Sequence, residues 1–513
     1  GRTRRGWTLS SVEAVTAREH ARVANGLQHL DAEVEPLTNY VAARAFKELG
    51  PRAGLGFIGT ATDRSFDDRR MAATLAGHAW VGGVDGHLFL DGRREWVVHG
   101  SLAGSHLRGE PAAITAVQRA PARYYQRPDA PHVHVDPTAT SISGWMGDVA
   151  LNRNSGNVIV NARVWGNSPG FETNDLGFVT QTDRAGGHGL VLFRRLTPDR
   201  VFRVRQLALG KWWTWNYAGE CQGDGEQATL NLQFLNYSQL NLTLSNSRKT
   251  LDDKLTRGGP TVIRPGIHQI AASAVSDTRR RLGGQVGGTW ALRDYGSWSR
   301  TITAALDFRP SPGVTLSVGP RYFDTRNVAQ YLRTVVDPTA TATFGSRYVF
   351  GDLRQTEVSI ESRVNVVLSP TVSVQAYVQP LVSVGNYAAL REFAQPRTYN
   401  FLTYGRDVGT IVEADGSPRP DGVPVPFIID PDGAGPAPSF LLPDPNFNVK
   451  SLRLNTILRW EWRPGSTLYL VWTENRANTE NPGDFAFGRD LDDLFSSAPD
   501  DVVMVKVSWW IGR

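Results

Sequence analysis

Cysteine is all but missing from this chain: Cys221 stands alone among 513 residues. That excludes an intrachain disulfide and any metal cluster built on cysteine. Long apolar runs are missing as well. No stretch reaches the roughly 18 consecutive apolar residues of a membrane helix, and the mean hydropathy is only -0.30. Charge of one sign is scarce, with 55 basic against 50 acidic side chains and a net charge of +5. Without a lysine-rich tract, that small excess leaves no footprint for nucleic acid. No signal peptide precedes Gly1, so the sequence reads as a mature or trimmed chain. None of these absences argues against a transmembrane β-barrel, whose lipid-facing residues alternate with polar ones and so dilute the hydropathy.

What the chain does have is a period of two. Leu230, Leu232 and Phe234 alternate with Asn231 and Gln233, and Leu240, Leu242 and Leu244 alternate with Asn241 and Thr243. Val358, Ile360, Val364 and Val366 alternate with Ser359, Glu361, Arg363 and Asn365. After Pro370 the beat resumes, with Val372, Val374, Ala376 and Val378 against Ser373, Gln375 and Tyr377. Residues two apart share one face of a strand, so these are half-apolar strands and not helices. The closing segment follows suit: Val503, Val505, Val507, Trp509 and Ile511 on one face, Met504, Lys506, Ser508 and Trp510 on the other. Aromatic residues are plentiful (15 Trp, 14 Tyr and 21 Phe), as interfacial girdles require.

The connections alternate between short and long. Turns at 91–94, 154–156, 197–200, 237–239, 310–312, 369–371 and 464–465 take turns with long loops at 105–139, 246–264, 385–449 and 474–500. Short periplasmic turns and long extracellular loops are the sidedness of an outer-membrane barrel. The expected fold is therefore all-β: one transmembrane antiparallel barrel domain over 1–513, of about 22 strands, in the bacterial outer membrane. The stretches 176–182 and 342–350 fit the count poorly. Segment 37–46 already reads as a strand, which leaves no room for a folded N-terminal plug.

Several stretches resemble one family, the outer-membrane barrel called domain of unknown function 5916. They are Gly6-Trp7-Thr8-Leu9, Glu13-Ala14-Val15-Thr16-Ala17, Glu35-Pro36-Leu37-Thr38-Asn39-Tyr40 and Phe171-Glu172-Thr173-Asn174-Asp175-Leu176-Gly177-Phe178. Thr256-Arg257-Gly258-Gly259-Pro260, Ser346-Arg347-Tyr348-Val349-Phe350, Leu402-Thr403-Tyr404-Gly405-Arg406-Asp407 and the closing segment 501–510 complete the set. The resemblance implies a Gram-negative surface barrel. It also implies an association with glycans, because members usually carry a module similar to family 9 carbohydrate-binding domains ahead of the barrel. That module is absent here, so the chain reads as the barrel portion. The resemblance implies no catalytic residues.

Candidate site residues follow from the alternation. Arg203, Arg205, Arg309, Arg321, Arg363, Arg453 and Arg459, with Glu361 and Glu461, are assigned to the lumen. There they would favour anionic or sugar-like solutes through forked hydrogen bonds. The simpler reading is that they pair across strands to fill a polar interior. Trp212, Trp213, Trp215, Trp460, Trp472 and Trp509 are assigned to the membrane girdles, although the first three could also form a sugar-stacking platform. His132, His134 and Asp136 would share a strand face, with imidazoles about 6–7 Å apart, but no further ligand completes a metal shell. The acidic runs at 174–175 and 490–493 lack the spacing of a calcium loop. No metal or cofactor is expected.

A barrel this wide encloses a lumen that natural proteins keep plugged. At least one of the loops 105–139 and 385–449 is expected to fold inward, because loops so long are functional or disordered. The resulting expectation is a transport or secretion conduit for a glycan or anionic solute. Its lumen would be closed by loops or by a periplasmic or envelope partner, with membrane lipid around it. The alternative is a non-conducting scaffold that anchors a carbohydrate-binding module or an envelope complex. No serine, histidine and aspartate gather on one rim, so no enzyme is expected.

Overall fold

The computed structural model describes residues 1, 3, 6–25, 28–413, 426–480 and 484–511. One sheet of 21 antiparallel strands dominates it. Its smallest member, Phe401–Thr403, adds only three residues beside the upper end of Val372–Phe393. That leaves twenty strands for the wall, against an expected count of about 22. The ambiguous stretch 176–182 forms no strand, while 346–350 opens the long strand Ser346–Ser369.

Each wall strand pairs with its sequence neighbour, the pattern of an up-and-down wall. Trp7–Thr16 lies beside Leu37–Glu48, and the ladder then runs strand by strand to Ser466–Asn478 and Asp500–Ser508. Three long strands follow one another toward the end of this order, with Val314–Val336, Ser346–Ser369 and Val372–Phe393 each spanning 22 to 24 residues. The first and last strands lie at the two ends of the order and run antiparallel to each other.

Register explains why the sheet has two unlike faces. Leu207 stands opposite Leu230, Leu230 opposite Leu242 and Leu244 opposite Ile270. The polar partners Asn231 and Asn241 fall together on the other side. On the strand Trp298–Ser311 the apolar row runs from Ile302 through Ala304 and Leu306 to Phe308. That is about 20 Å of strand at 3.3 Å per residue, close to the height of a lipid-facing band. Leu306 and Phe308 remain 51% and 42% exposed, and so do many large apolar side chains on this face. In water such a surface would aggregate; in a bilayer it is the solvated one.

The small turns lie at one rim, for example 312–313, 370–371 and 464–465. The opposite rim carries every α-helix among the described residues: Arg69–Thr74, Pro111–Arg119 and Phe487–Ser496. Pro111 opens the second helix where its missing N–H costs nothing. That helix buries Ile114 against Leu107, Ala76 and Ile142. The tightest apolar packing thus sits above the membrane band, at the long-loop rim.

Candidate functional site

The polar face is a lattice of cross-strand pairs. Arg44 donates to Asp85 at 2.6 and 2.8 Å, passing over the strand that lies between them. Gly56 makes that passage: a Cβ there would stand 2.7 Å from both Arg44 Nη2 and Asp85 Oδ1. Asp148 accepts from Ser101 at 2.5 Å and from Arg163 at 3.1 Å.

Among the sequence-assigned residues, Arg321 pairs with Glu357 on this face. Arg363 donates to Glu361 at 2.8 Å, and Arg459 donates to Glu461 at 2.8 Å. Arg453 stands opposite Gln379 in the same row and is exposed. Arg309 reaches the Thr278 carbonyl at 2.6 Å, at the short-turn rim.

Two assignments move to other places. Arg205 shares its face with Leu207 and Leu209, the apolar one, and pairs with Asp199 at 2.5 Å below the band. A register shift between Phe202 and Val204 inserts Arg203, whose guanidinium lies 4.2 Å from the Tyr237 ring centroid. The bulge re-aims Arg203 alone and is invisible to a count of alternate residues. Arg205 lies past it and shares the parity of Leu207 and Leu209, so plain alternation already places it on the apolar face.

The tryptophans divide. Trp460 and Trp509 gather around Trp462 near the short-turn rim. Trp213 and Trp215 lie on the apolar face toward the long-loop rim, and Trp472 donates its indole N–H to Asp501 at 2.8 Å. Trp212 takes the opposite parity and lies over Gly225, so it belongs to the polar face and not to the girdle row. Sequence reasoning missed Trp80, Trp145 and Trp290, which are 40%, 46% and 46% exposed on the apolar face just below the long-loop rim. Their sequence signal was present for two of them: Trp80 and Trp145 each end an apolar row within a few residues of a long loop, whereas Trp290 precedes only the tight Asp294–Gly296 turn.

The His132–Asp136 stretch is not a strand, so its side chains do not share a face. His132 Nε2 lies 2.8 Å from Asp183, and Asp136 is occupied by Thr138 and the Gln118 side chain. The acidic runs are likewise engaged: Asp175 with Arg64 at 2.6 Å, Asp490 with Arg489 at 3.0 Å and Asp493 with Lys450 at 3.6 Å.

The most strongly built site is one that no local pattern announced. Loops 109–140, 168–183 and 248–266 leave the rim at three separate places in the strand order, yet they converge. Arg127 donates to Asp253 at 2.7 Å and to Asp183 at 2.9 Å. Arg184 grips Asp253 from the other side at 3.0 and 2.5 Å. Every one of these four side chains is at most 2% exposed. Arg123 pairs with Glu172 at 2.8 Å and is equally sealed. Asp129 receives the Thr261 N–H at 2.7 Å, and the Arg397 N–H donates to the Thr261 carbonyl at 2.7 Å, which ties in the strand end near Phe393. Val262 packs with Tyr348, Phe350 and Phe393 in a buried cluster.

Burial sets the titration here. Desolvation pushes Lys254 down to about 8, although Asp253 beside it resists the shift. Its ammonium caps the carbonyls of Ala122 and Arg123, each at 3.3 Å. Desolvation works to raise Asp253, but Arg184 and Arg127 outweigh it and hold the carboxyl below its usual range. Tyr125, buried beside this group, is pushed up to about 12.

Residues 394–413 and 426–446 take another course. Their three-stranded sheet, Thr410–Glu413, Phe427–Asp430 and Phe440–Leu442, packs Ile429 and Leu442 on Val349 and Leu390. Arg347 bridges Asp337 at 2.5 Å and Glu392 at 2.7 Å, and the Tyr404 hydroxyl donates to Glu392 at 2.9 Å. This loop braces the protruding strands. The stretch 414–425 of the expected 385–449 loop lies outside the described residues.

A sequential antiparallel wall, an apolar band edged by aromatics, and turns short at one rim and long at the other define a transmembrane β-barrel of the outer-membrane type. The chain belongs to the family described as Domain of unknown function (DUF5916), which matches residues 1–393. The segments 402–407 and 501–510, part of the resemblance in sequence, lie beyond the matched residues. No curated protein matches the chain. Among solved structures, it is similar to the siderophore receptor PirA from Acinetobacter baumannii, at 10% identity over 99% of this chain and 74% of that one, with a TM-score of 0.40. It is also similar to a mutant of the ferric enterobactin receptor PfeA from Pseudomonas aeruginosa in complex with enterobactin (9% identity, 92% and 76% covered, TM-score 0.43). A third is the outer membrane transporter YddB from Escherichia coli (9% identity, 92% and 75% covered, TM-score 0.40).

Proposed function

We propose that this barrel is a conduit for polar solutes whose long-loop mouth is closed by its own loops. The observation that carries the reading is the buried Arg127–Asp183 and Arg184–Asp253 cluster, which locks the loops of three hairpins, two of them adjacent in the wall, to one another. A wall of twenty strands encloses a lumen wide enough to need such an obstruction. Loops that served only as connections would have no reason to bury four charges together, because each charge loses its hydration there. Of the two long loops considered from sequence, 105–139 contributes to this closure.

Below the closure, the paired arginines and carboxylates of the polar face would receive anionic or sugar-like solutes. Arg321, Arg363, Arg453 and Arg459 are the cations that a passing solute would meet.

Single-channel conductance in planar bilayers tests the proposal. The full chain is expected to be silent, and Arg127→Gln combined with Asp253→Asn is expected to open large conductance steps. Large steps from the unaltered chain would refute closure by these loops. Silence from both would favour a non-conducting scaffold that anchors an envelope partner.

A further inference from the structure

On the apolar face of the strands from Leu282–Arg293 to Ser346–Ser369, the lipid-facing rows stop abruptly. Ile302, Tyr322 and Val358 stand side by side as the last lipid-facing row, and Val382 beside Val358 is buried. The next row begins with Arg300 opposite Asp324, and the one above it places Arg326 opposite Arg354. Trp290 stands directly beside Arg300 and is 46% exposed, which marks this level as the membrane–water boundary.

The charges here are layered. Asp324 and Asp352 are buried, with side chains 1% and 7% exposed, while Arg300, Arg326 and Arg354 are 46%, 47% and 67% exposed. Arg300 binds Asp324 at 2.6 Å and Arg326 binds Asp352 at 2.7 Å. Arg354 comes no nearer than 3.9 Å to Asp324. Arg391 also leans on Asp352, at 3.4 Å. Four guanidiniums thus share two carboxylates. The carboxylates lie beneath, so the surface presented outward is cationic, and the Asp contacts hold two of the forks in place.

We infer that Arg300, Arg326 and Arg354 form a binding site for the phosphorylated headgroup of an outer-leaflet lipid. Guanidinium forks match phosphate oxygens in paired, charge-assisted hydrogen bonds. The apolar rows of Ile302, Tyr322 and Val358 directly below would carry that lipid's acyl chains, which a free anion would not use. The long-loop rim faces the outer leaflet in barrels of this kind. The inference does not depend on whether the lumen conducts.

The test uses the full chain reconstituted in phosphatidylcholine vesicles doped with bisphosphorylated lipid A or with its dephosphorylated form. Lipid retained after detergent extraction is counted by mass spectrometry, and heat-modifiable gel mobility verifies folding. The unaltered chain is expected to retain the phosphorylated form about tenfold over the other, a difference of about 1.4 kcal/mol. R300Q/R326Q/R354Q should erase that preference. R354Q, which leaves both buried carboxylates paired, should reduce it several-fold, and the polar-face variant R363Q should leave it intact. Equal retention of the two lipids, no change in R354Q, an equal loss in R363Q, or full displacement by inorganic phosphate would each overturn the assignment.

Discussion

Arg127 and Asp253 are 126 residues apart in the chain, and their side chains meet at 2.7 Å with almost no exposure to solvent. Asp253 is held at the same time by Arg184, so a single carboxylate ties a loop from one part of the wall to a strand end in another. Removing one partner of a buried ion pair leaves its fellow charged and unsolvated, at a cost of about 3–5 kcal/mol. Asp253→Asn should therefore loosen 109–140 and 248–266 together while the wall stays folded. Hydrogen exchange resolved by segment checks this: protection should fall in both loops at once and persist in strands such as Phe202–Trp215.

The same cluster carries a pH signature. Lys254 binds its proton more weakly when packed, at about 8, than when exposed, at 10.5. Between those values the opened loop keeps a proton that the packed loop has lost, so packing strengthens as pH rises through that window. Below it, both states are protonated and the cost of burying the ammonium is borne in full. The gain amounts to a few kcal/mol at most, on the order of 1.4 per pH unit. Resistance of the 248–266 loop to protease should increase from pH 7 to pH 10 in the unaltered chain and stay flat in Lys254→Met.

Lipid exposure can be tested one face at a time. Leu306 stands mid-band on the apolar face, and its neighbour Asp307 on the polar face accepts from Ser317 at 2.5 Å. Leu306→Arg should destabilise insertion by about 2–4 kcal/mol, as for a cation at mid-bilayer. Asp307→Asn should cost about 1 kcal/mol, the worth of an ordinary hydrogen bond. Folding equilibria into vesicles against denaturant separate the two. Equal effects would mean that the faces had been assigned wrongly.

The first and last strands, Trp7–Thr16 and Asp500–Ser508, should pair with each other in the membrane. Open sheet edges do not survive in hydrocarbon, where unpaired backbone groups cost several kcal/mol each. Both strands place their even-numbered residues on the polar face, so Ser10 and Lys506, or Val12 and Met504, can meet in an antiparallel seam. With Cys221 replaced by serine, Ser10→Cys combined with Lys506→Cys should cross-link within one chain. Cross-links found only between chains would show that the edges pair with a second copy.

Legibility in the sequence followed the physics of the solvent. Inside the apolar band each strand has lipid on one side and polar groups on the other, so Val358 to Leu368 and Val372 to Val378 could be read residue by residue. Above the band that contrast ends. The strand Val314–Val336 continues through bulges at Asn327/Gln330 and Tyr331/Arg333, and Val372–Phe393 runs well past the point where its alternation fades. Loops read from sequence as beginning at 385 or 474 therefore begin later, near 394 and 479. The misassignment of Arg203 has the same origin, a bulge that shifts parity by one, whereas Arg205 shares the parity of Leu207 and Leu209 and was legible by alternation.

By itself, the sequence determined the wall: its period of two, its sidedness and its place in a bilayer. These are local properties, written by which residues neighbour which along a strand. Tertiary structure alone decided the closure above it. Arg123, Arg127, Asp183, Arg184 and Asp253 look like ordinary solvated loop charges until the fold brings them within 3 Å of their partners and removes the water. Their partners are dozens to more than a hundred residues away, and no periodicity along the chain records a contact made across the rim of a barrel.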